Sequence, residues 1–404
     1  MPDRHADKPA VIVVGGGPAG LTAAISLAQG GLHTTLVGLR STKPDNRTTA
    51  LLAGSVAALD TLGVWPSCAA RAAPLRAMRI VDDTGRLWRA PEVKFAADEI
   101  GLEAFGHNIE NRHLTDALAK RARSLSALSI IGDEVVAVTP DADTITVTLK
   151  TGQILRAHLA VGADGRHSLC RAAAGIDIDE RRYPQTALTL CLSHSRPHCD
   201  TSTEFHTASG PFTLVPLPGN RSSLVWVLDP GTAAELAALD DVALATGIER
   251  ASHSILGKLQ AEPGRGMFPL TVSTARRFAG ERIALVGEAA HVLPPIGAQG
   301  LNLGLRDAAT VAELVVAAQR AGRDIGGAGV TSRYDRMRRT DVGTRAVAID
   351  LLNRSLLSDL LPVQGARGLG LYLLDRIGPL RRAVMREGVA PAAGQPRLMR
   401  GEAL

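Results

Sequence analysis

The sequence predicts an α/β protein with an α+β insert. A Rossmann-like dinucleotide domain, discontinuous in sequence, carries an antiparallel meander; a mixed β-sheet domain is inserted into it, and a helical C-terminal segment follows. Three observations carry this expectation. A strand, a glycine turn and a helix open the chain, a second strand feeds a glycine-rich turn and a helix near residue 287, and the region between is rich in short alternating strands. With 404 residues, 45% of them apolar and 21% charged, the chain can bury a sizeable core and is too apolar for disorder.

Residues 10–14 (AVIVV) form a continuous apolar run of the buried parallel-strand type. Beyond the glycine turn, Leu21, Ala24, Ile25 and Ala28 recur at helical spacing, and Gly30-Gly31 stop the helix. Residues 34–37 give a second strand and complete a βαβ unit. Residues 10–32 carry no charge and are long enough to span a membrane. Six glycines and Pro18 lie within them, and such a helix would leave backbone groups unpaired in hydrocarbon, so no transmembrane segment is expected. A helix follows over 50–62, a hairpin over 76–95 turned at Asp83-Thr84-Gly85, and an amphipathic helix over 113–125. Three strand-like runs between 133 and 162 make the meander. Residues 183–230 alternate as strands, 233–259 read as helix, 282–287 as a buried strand and 300–320 as a helix. Residues 326–329 (GGAG) read as a loop.

Cys68, Cys170, Cys191 and Cys199 form no CxxC pair, which excludes a disulfide framework and argues against a metal site. A reducing cytoplasm fits this usage, and the polar N-terminus has no secretory pattern. The net charge of +5 is uneven: residues 331–404 hold thirteen Arg and seven acids (13 − 7 = +6), leaving −1 for the rest. Aromatic residues make up only 3%, which argues against a nucleic-acid groove. The arginine-rich end reads either as a solvated helical tail or as a surface for anionic lipid or an acidic partner.

Three segments carry chemistry. Gly15-Gly16-Gly17-Pro18-Ala19-Gly20 matches GxGxxG between a strand and a helix. There glycines admit a pyrophosphate to the backbone and helix N-terminal amides bind its charge. An acid is expected about 20 residues on to hold the ribose hydroxyls. Gly38 stands in that place, and Asp45 is the nearest acid downstream. The second segment, residues 161–171 (VGADGRHSLCR), reads as an Asp-Gly turn with Ser168 capping a helix. The third, residues 287–307 (GEAAHVLPPIGAQGLNLGLRD), sets a carboxylate at a strand end, suited to a polyol chain. Its glycines bare the amides that open a helix, suited to an anion such as a reduced flavin.

In this order and spacing, the three motifs resemble those of the class A flavoprotein monooxygenases, the p-hydroxybenzoate hydroxylase fold. More narrowly, the chain resembles the ubiquinone-biosynthesis aromatic hydroxylases. Residues 47–51 (RTTAL) with Ser55, 62–65 (LGVW), 108–112 (NIENR) with Leu114, the 297–307 run, and Leu380-Arg381-Arg382 with Met385-Arg386 carry that narrower likeness. The resemblance implies an FAD-binding domain over 9–75, 100–178 and 276–340, a substrate domain over 76–99 and 179–275, and a helical segment over 341–404. It implies FAD held by Gly15, Gly17, Ala19, Gly20, Arg47, Arg112, Asp164, Glu288, Gly297, Gly300, Leu301 and Asn302, with NADPH or NADH as electron donor. It further implies O2 as co-substrate and hydroxylation of a prenylated phenol.

Two departures stand out. Gly38 replaces the family's ribose-binding Glu, and Glu288 replaces the Asp of its GD motif. No residue is singled out as the group that activates the phenol. His291, Pro294, Tyr183 and His206 are the candidates, with His194 alongside, and His291 reads first as a structural histidine. Residues 366–386, with Leu369, Leu371, Leu373, Leu374 and Ile377 among Arg367, Arg376, Arg381 and Arg382, suit either membrane docking or packing on the body. The implied place is cytoplasmic, at the inner membrane face or within a quinone-synthesis assembly, without nucleic acid. A prenyl reductase, a halogenase and a non-enzymatic FAD-binding scaffold remain open alternatives.

Overall fold

The structure is a computed structural model that describes residues 10–39, 46–85, 89–295, 297–357, 368–370, 372–374, 376–389 and 394–404. Asp45, Arg367 and Leu371, singled out above, lie outside the described residues.

The opening strand Val11–Val14 is wholly buried and pairs in parallel with Thr34–Val37 on one side and Leu159–Gly162 on the other. Ile283–Leu285 then pairs in parallel beyond Leu159–Gly162, and Leu128–Ile131 beyond Thr34–Val37. The helix Pro18–Gln29 packs on the long helix Gln299–Arg320 and on Asn111–Arg123. The strands, the three helices and the antiparallel meander Val135–Pro140, Ile145–Leu149 and Ile154–Ala157 share one apolar core.

A second, nine-stranded sheet is dominated by the 17-residue strand Ile178–His194, which pairs antiparallel with Arg221–Leu228 and Gly266–Ala275. It runs outward through Pro211–Leu217 and Thr201–His206 to the hairpin Ala77–Asp82 and Val93–Ala96. Alternation sends neighbouring residues to opposite faces. Leu188, Leu190, Leu192, Leu214 and Leu224 pack against Leu244 and Ile248 of the helix Asp241–Ala251 on the outer face. Ser223, next to Leu224, turns to the inner face, where its hydroxyl lies 2.8 Å from Thr48 Oγ1.

Four local expectations need correction. Residues 50–52 are strand, not helix: Thr48–Leu52 pairs with Gly106–Glu110, and the helix begins at Ala53. The β-branched pair Thr48-Thr49 suits that ladder. The third run of the meander divides at His158, and its second half, Leu159–Gly162, leaves to enter the parallel sheet. Residues 233–259 hold two helices, Pro230–Ala238 and Asp241–Ala251, each capped by an aspartate, and Leu259 opens a strand. Residues 328–329 begin the helix Ala328–Leu357 rather than closing a loop.

The C-terminal helix Gly378–Val389 buries Met385 and Val389 against Val93, Phe95 and Phe105. Arg381 reaches Glu99 at 2.7 Å and lies over the Phe95 ring. Leu380 and Val384 of the same helix are exposed, as are Leu369, Tyr372 and Ile377. No helix among the described residues is long and apolar enough to cross a membrane.

Candidate active site

The three motifs leave neighbouring parallel strands at the same edge. Val14 leads into Gly15, Gly162 into Asp164 and Leu285 into Gly287, from strands that lie side by side. Close approach explains the glycines. Gly15 has φ +119°, and a Cβ there would stand 2.2 Å from the Ala163 carbonyl oxygen; a Cβ on Gly20 would stand 2.0 Å from that of Gly15. Gly287 and Gly304 pack against each other and against Ala19, which locks the first turn to the third. Gly17 opens its helix with no side-chain cap, and nothing lies within 4 Å of the place its Cβ would take. The amides of that first turn therefore face open space, a cradle fitting a pyrophosphate.

Gly38 obeys the same constraint. A Cβ there would lie 2.5 Å from the Gly16 nitrogen, so a side chain at the end of the second strand would require the glycine turn to shift.

The second motif braces the other two. Asp164 accepts hydrogen bonds from Ser168 Oγ (2.6 Å) and the Cys170 amide (3.1 Å), and Ser168 in turn caps the helix Leu169–Ala173. Its carboxylate thus shapes the turn. Arg171 donates to the Ala289 carbonyl at 2.9 Å, and Arg166 meets Glu288 at 3.1 Å, so two arginines tie this turn to the third motif. Burial pushes the Cys170 thiol far above its ordinary range, which leaves no thiolate nucleophile here.

In the third motif Glu288 is half-exposed at the strand end. Gly297 has φ +65° and Ala298 φ +54°, a left-handed pair that turns the chain into the helix Gln299–Arg320, again without a side-chain cap. Gly297 and Gly300 are exposed, and Leu301 is half-buried. The Asn302 side chain is occupied within the fold. Its Oδ1 accepts from the Leu52 amide and Ser55 Oγ, and its Nδ2 donates to the Ala50 and Ala298 carbonyls. It clips the helix start to the strand Thr48–Leu52 and leaves the first-turn amides open.

Beneath lies a charge network that sequence reasoning did not single out. Asp307, fully buried, accepts from the Gly287 amide (2.9 Å), His291 Nε2 (2.7 Å) and Arg338 Nε (2.6 Å). Burial alone would raise its pKa, but Arg338 and His291 outweigh that and hold it below the usual carboxylate range. Arg338 continues to Asp341, which also binds Arg306 and Arg345. Asp307 stands at the end of the quoted third motif, but its partner Arg338 comes from a helix 31 residues later, a pairing with no periodic signal.

Arg47 and Arg112 sit on adjoining backbone, with the Asn111 amide donating to the Arg47 carbonyl. Arg47 lies over the ring of Phe268 at 5.4 Å, and Arg112 pairs with Glu110. Glu110 also meets Arg221, which forms a two-pronged pair with Glu262, so an ionic chain links the edge to the larger sheet.

The candidates for phenol activation are scattered. His291 is wholly buried within the Asp307 network. Pro294 is buried and offers only its carbonyl as a polar group. The Tyr183 hydroxyl donates to Asp350 at 2.5 Å, and burial together with that carboxylate pushes its pKa up. His194 points to the outer face, with its ring nitrogens on the Arg196 carbonyl and Ser222 Oγ. His206 shares the inner face with Phe268 and pairs with Glu204 at 2.9 Å. It lies four strands from Phe268, roughly 19 Å at about 4.8 Å per strand, too far to touch a ring held at Phe268. Sequence reasoning did not find Glu204, because its pairing depends on a strand's alternation.

Against known proteins, the FAD binding domain family matches residues 8–347. The chain is 37% identical to Ubiquinone hydroxylase UbiL of Rhodospirillum rubrum, over 98% of this chain and 94% of that protein. The chain belongs to the FAD-dependent aromatic hydroxylases, in their ubiquinone-biosynthesis branch. It is also 31% identical to 3-demethoxyubiquinol 3-hydroxylase of Escherichia coli, over 93% of this chain and 97% of that protein. Among solved structures, its fold is similar to p-nitrophenol 4-monooxygenase PnpA of Pseudomonas putida, with TM-score 0.76, 19% identity, and 94% and 97% of the two chains covered. Klebsiella pneumoniae HpxO, complexed with FAD and uric acid, gives TM-score 0.74 at 20% identity, covering 95% and 97%. The family's cofactor is FAD, and the glycine cradle and the two uncapped helix starts fit it. The protein is an FAD-dependent monooxygenase.

Proposed function

We propose that this enzyme hydroxylates the ring of a polyprenylated phenol intermediate of ubiquinone biosynthesis, with NADPH or NADH as electron donor. The observation that carries this reading is the convergence of three turns on one sheet edge, in a chain similar over its whole length to ubiquinone hydroxylases. Bound FAD supplies the activation of O2 that the protein's own side chains lack.

The residues divide the work of holding it. Gly15, Gly17, Ala19 and Gly20 form the cradle for the pyrophosphate, whose negative charge the helix start at Pro18 favours. Asp164 shapes the adjoining turn, and Glu288 stands where it can accept hydrogen bonds from a polyol chain. Arg47 and Arg112 line the approach. The open amides beyond Gly297, including those of Gly300, Leu301 and Asn302, offer donors to negative charge at the ring end. Phe268 and Val225 give the inner sheet face an apolar surface that keeps water from a bound phenol.

The exposed Leu380, Val384, Ile377 and Tyr372, with Arg376, Arg382 and Arg386 beside them, suit docking on an anionic membrane, where a prenylated substrate resides. In liposome co-sedimentation, full-length protein should bind anionic vesicles and a Leu380→Asp/Val384→Asp variant should not; equal binding by both removes the docking.

The catalytic test is a purified, FAD-loaded enzyme whose NAD(P)H oxidation accelerates with a short-chain 2-prenylphenol and yields a product one oxygen atom heavier. A halogenated or ring-reduced product would place it among the other flavin oxidoreductases of this fold. No stimulation by any prenylphenol would contradict the assignment of a prenylated phenol as substrate.

A further inference from the structure

A cleft of about 300 Å³ opens on the outer face of the larger sheet, behind the surface that meets the FAD edge. The faces are distinguished by neighbours: Ser223 contacts Thr48 on the inner side, and Ser222 lines the cleft on the outer side. The volume is at the lower end of small-molecule pockets, roughly 300–1,000 Å³. Pro197, Leu214, Ile255 and Leu256 supply apolar walls.

Its polar groups are donors in search of an acceptor. Arg79 lines the cleft with its Nε buried and unpartnered, and its Nη1 stands 3.7 Å from Glu92, beyond hydrogen-bond distance. Lys94 and Thr203 also line it, and neither side chain has a hydrogen-bond partner among the described residues. Ser222 donates to His194 Nε2, whose ring burial keeps below its ordinary pKa, so the serine oxygen remains an acceptor toward the cleft. His198 is fixed in the wall, accepting from the Asp200 amide through Nδ1 and donating through Nε2 toward the Leu217 and Gly219 carbonyls.

The rim is held in an uncommon conformation. Cys199 and Asp200 (φ +50° and +52°) and His253 and Ser254 (φ +52° and +53°) are consecutive left-handed pairs on its two sides. Such residues cost free energy, and they gather where a binding surface needs a particular shape.

We infer that this cleft binds a small organic oxyanion, a carboxylate or phosphate on an apolar body, between Arg79, Lys94 and Thr203, with Glu92 as the carboxylate it displaces. The inference stands apart from the hydroxylase reading, because the cleft faces away from the FAD edge.

The test is calorimetric titration of the FAD-saturated full chain with benzoate, phenyl phosphate and the neutral analogue benzyl alcohol. Either anion should bind saturably at one site per chain, and whichever binds more tightly identifies the headgroup; benzyl alcohol should not bind. Arg79→Gln should weaken binding at least about tenfold without changing FAD content, and Glu92→Gln, at an exposed position, should tighten it severalfold. Absence of saturable binding, equal binding of benzyl alcohol, or affinity unchanged in both variants would overturn the inference.

Discussion

The edge of the parallel sheet and the inner face of the larger sheet meet through Arg47, Thr48 and Phe268, yet they are built by opposite means. The edge is defined by missing atoms: Gly15, Gly20 and Gly38 sit where a Cβ would strike backbone at 2.0–2.5 Å. The sheet face is defined by atoms present, the alternate side chains of strands whose neighbours come from distant parts of the chain. A site made by exclusion tolerates almost no change, whereas one made by apolar side chains tolerates substitution of similar volume.

That contrast orders the expected effects. Gly15→Ala and Gly20→Ala should be the most damaging, with FAD content of the purified protein falling to near zero and a stability loss above about 3 kcal/mol in denaturant melts. Retention of flavin by either variant would break the comparison. Asp307→Asn comes next. It leaves Arg338 with its primary buried counter-ion weakened and should cost about 3–5 kcal/mol, read as a lowered denaturant midpoint.

The same network gives a pH dependence. Asp307 and Asp341 are both held below the usual carboxylate range in the folded state, so their stabilisation is complete only above about pH 5 and is lost progressively as pH falls through the ordinary carboxylate pKa toward the lower folded values. Tm should fall between pH 5 and pH 3 at the acid end of a titration, and the fall should be shallower in Asp307→Asn.

Gly38→Glu sharpens the comparison further. Restoring the acid expected from the motif should not improve FAD binding. The side chain must push the Gly16 backbone, at a cost of about 1–3 kcal/mol. The smallest effect belongs to the sheet face: Phe268→Leu should change stability by under about 1 kcal/mol and appear mainly as a raised KM for the phenol.

The same contrast explains what the sequence made legible. The three motifs and their flanking strands and helices could be read because glycine spacing and apolar runs are local signals. The start of the helix at 53 rather than 50 could not, since Thr48–Leu52 becomes a strand only through its partner Gly106–Glu110. Nor could the Asp307–Arg338 pair, the Glu110–Arg221–Glu262 chain or the Glu204–His206 pair, each formed by packing or strand alternation. Gly38 was visible as a departure, but its close packing on the glycine turn, with the Gly16 nitrogen 2.5 Å from where a Cβ would stand, belongs to three dimensions.

The central claim is that one FAD lies along the sheet edge from the first turn to the third. A crystal structure of the protein grown with FAD tests it most directly. The account predicts the pyrophosphate within hydrogen-bond distance of the amides over 15–20 and the isoalloxazine against the amides over 297–302. A flavin found with its pyrophosphate away from the glycine turn, or with its ring far from the start of Gln299–Arg320, would contradict it.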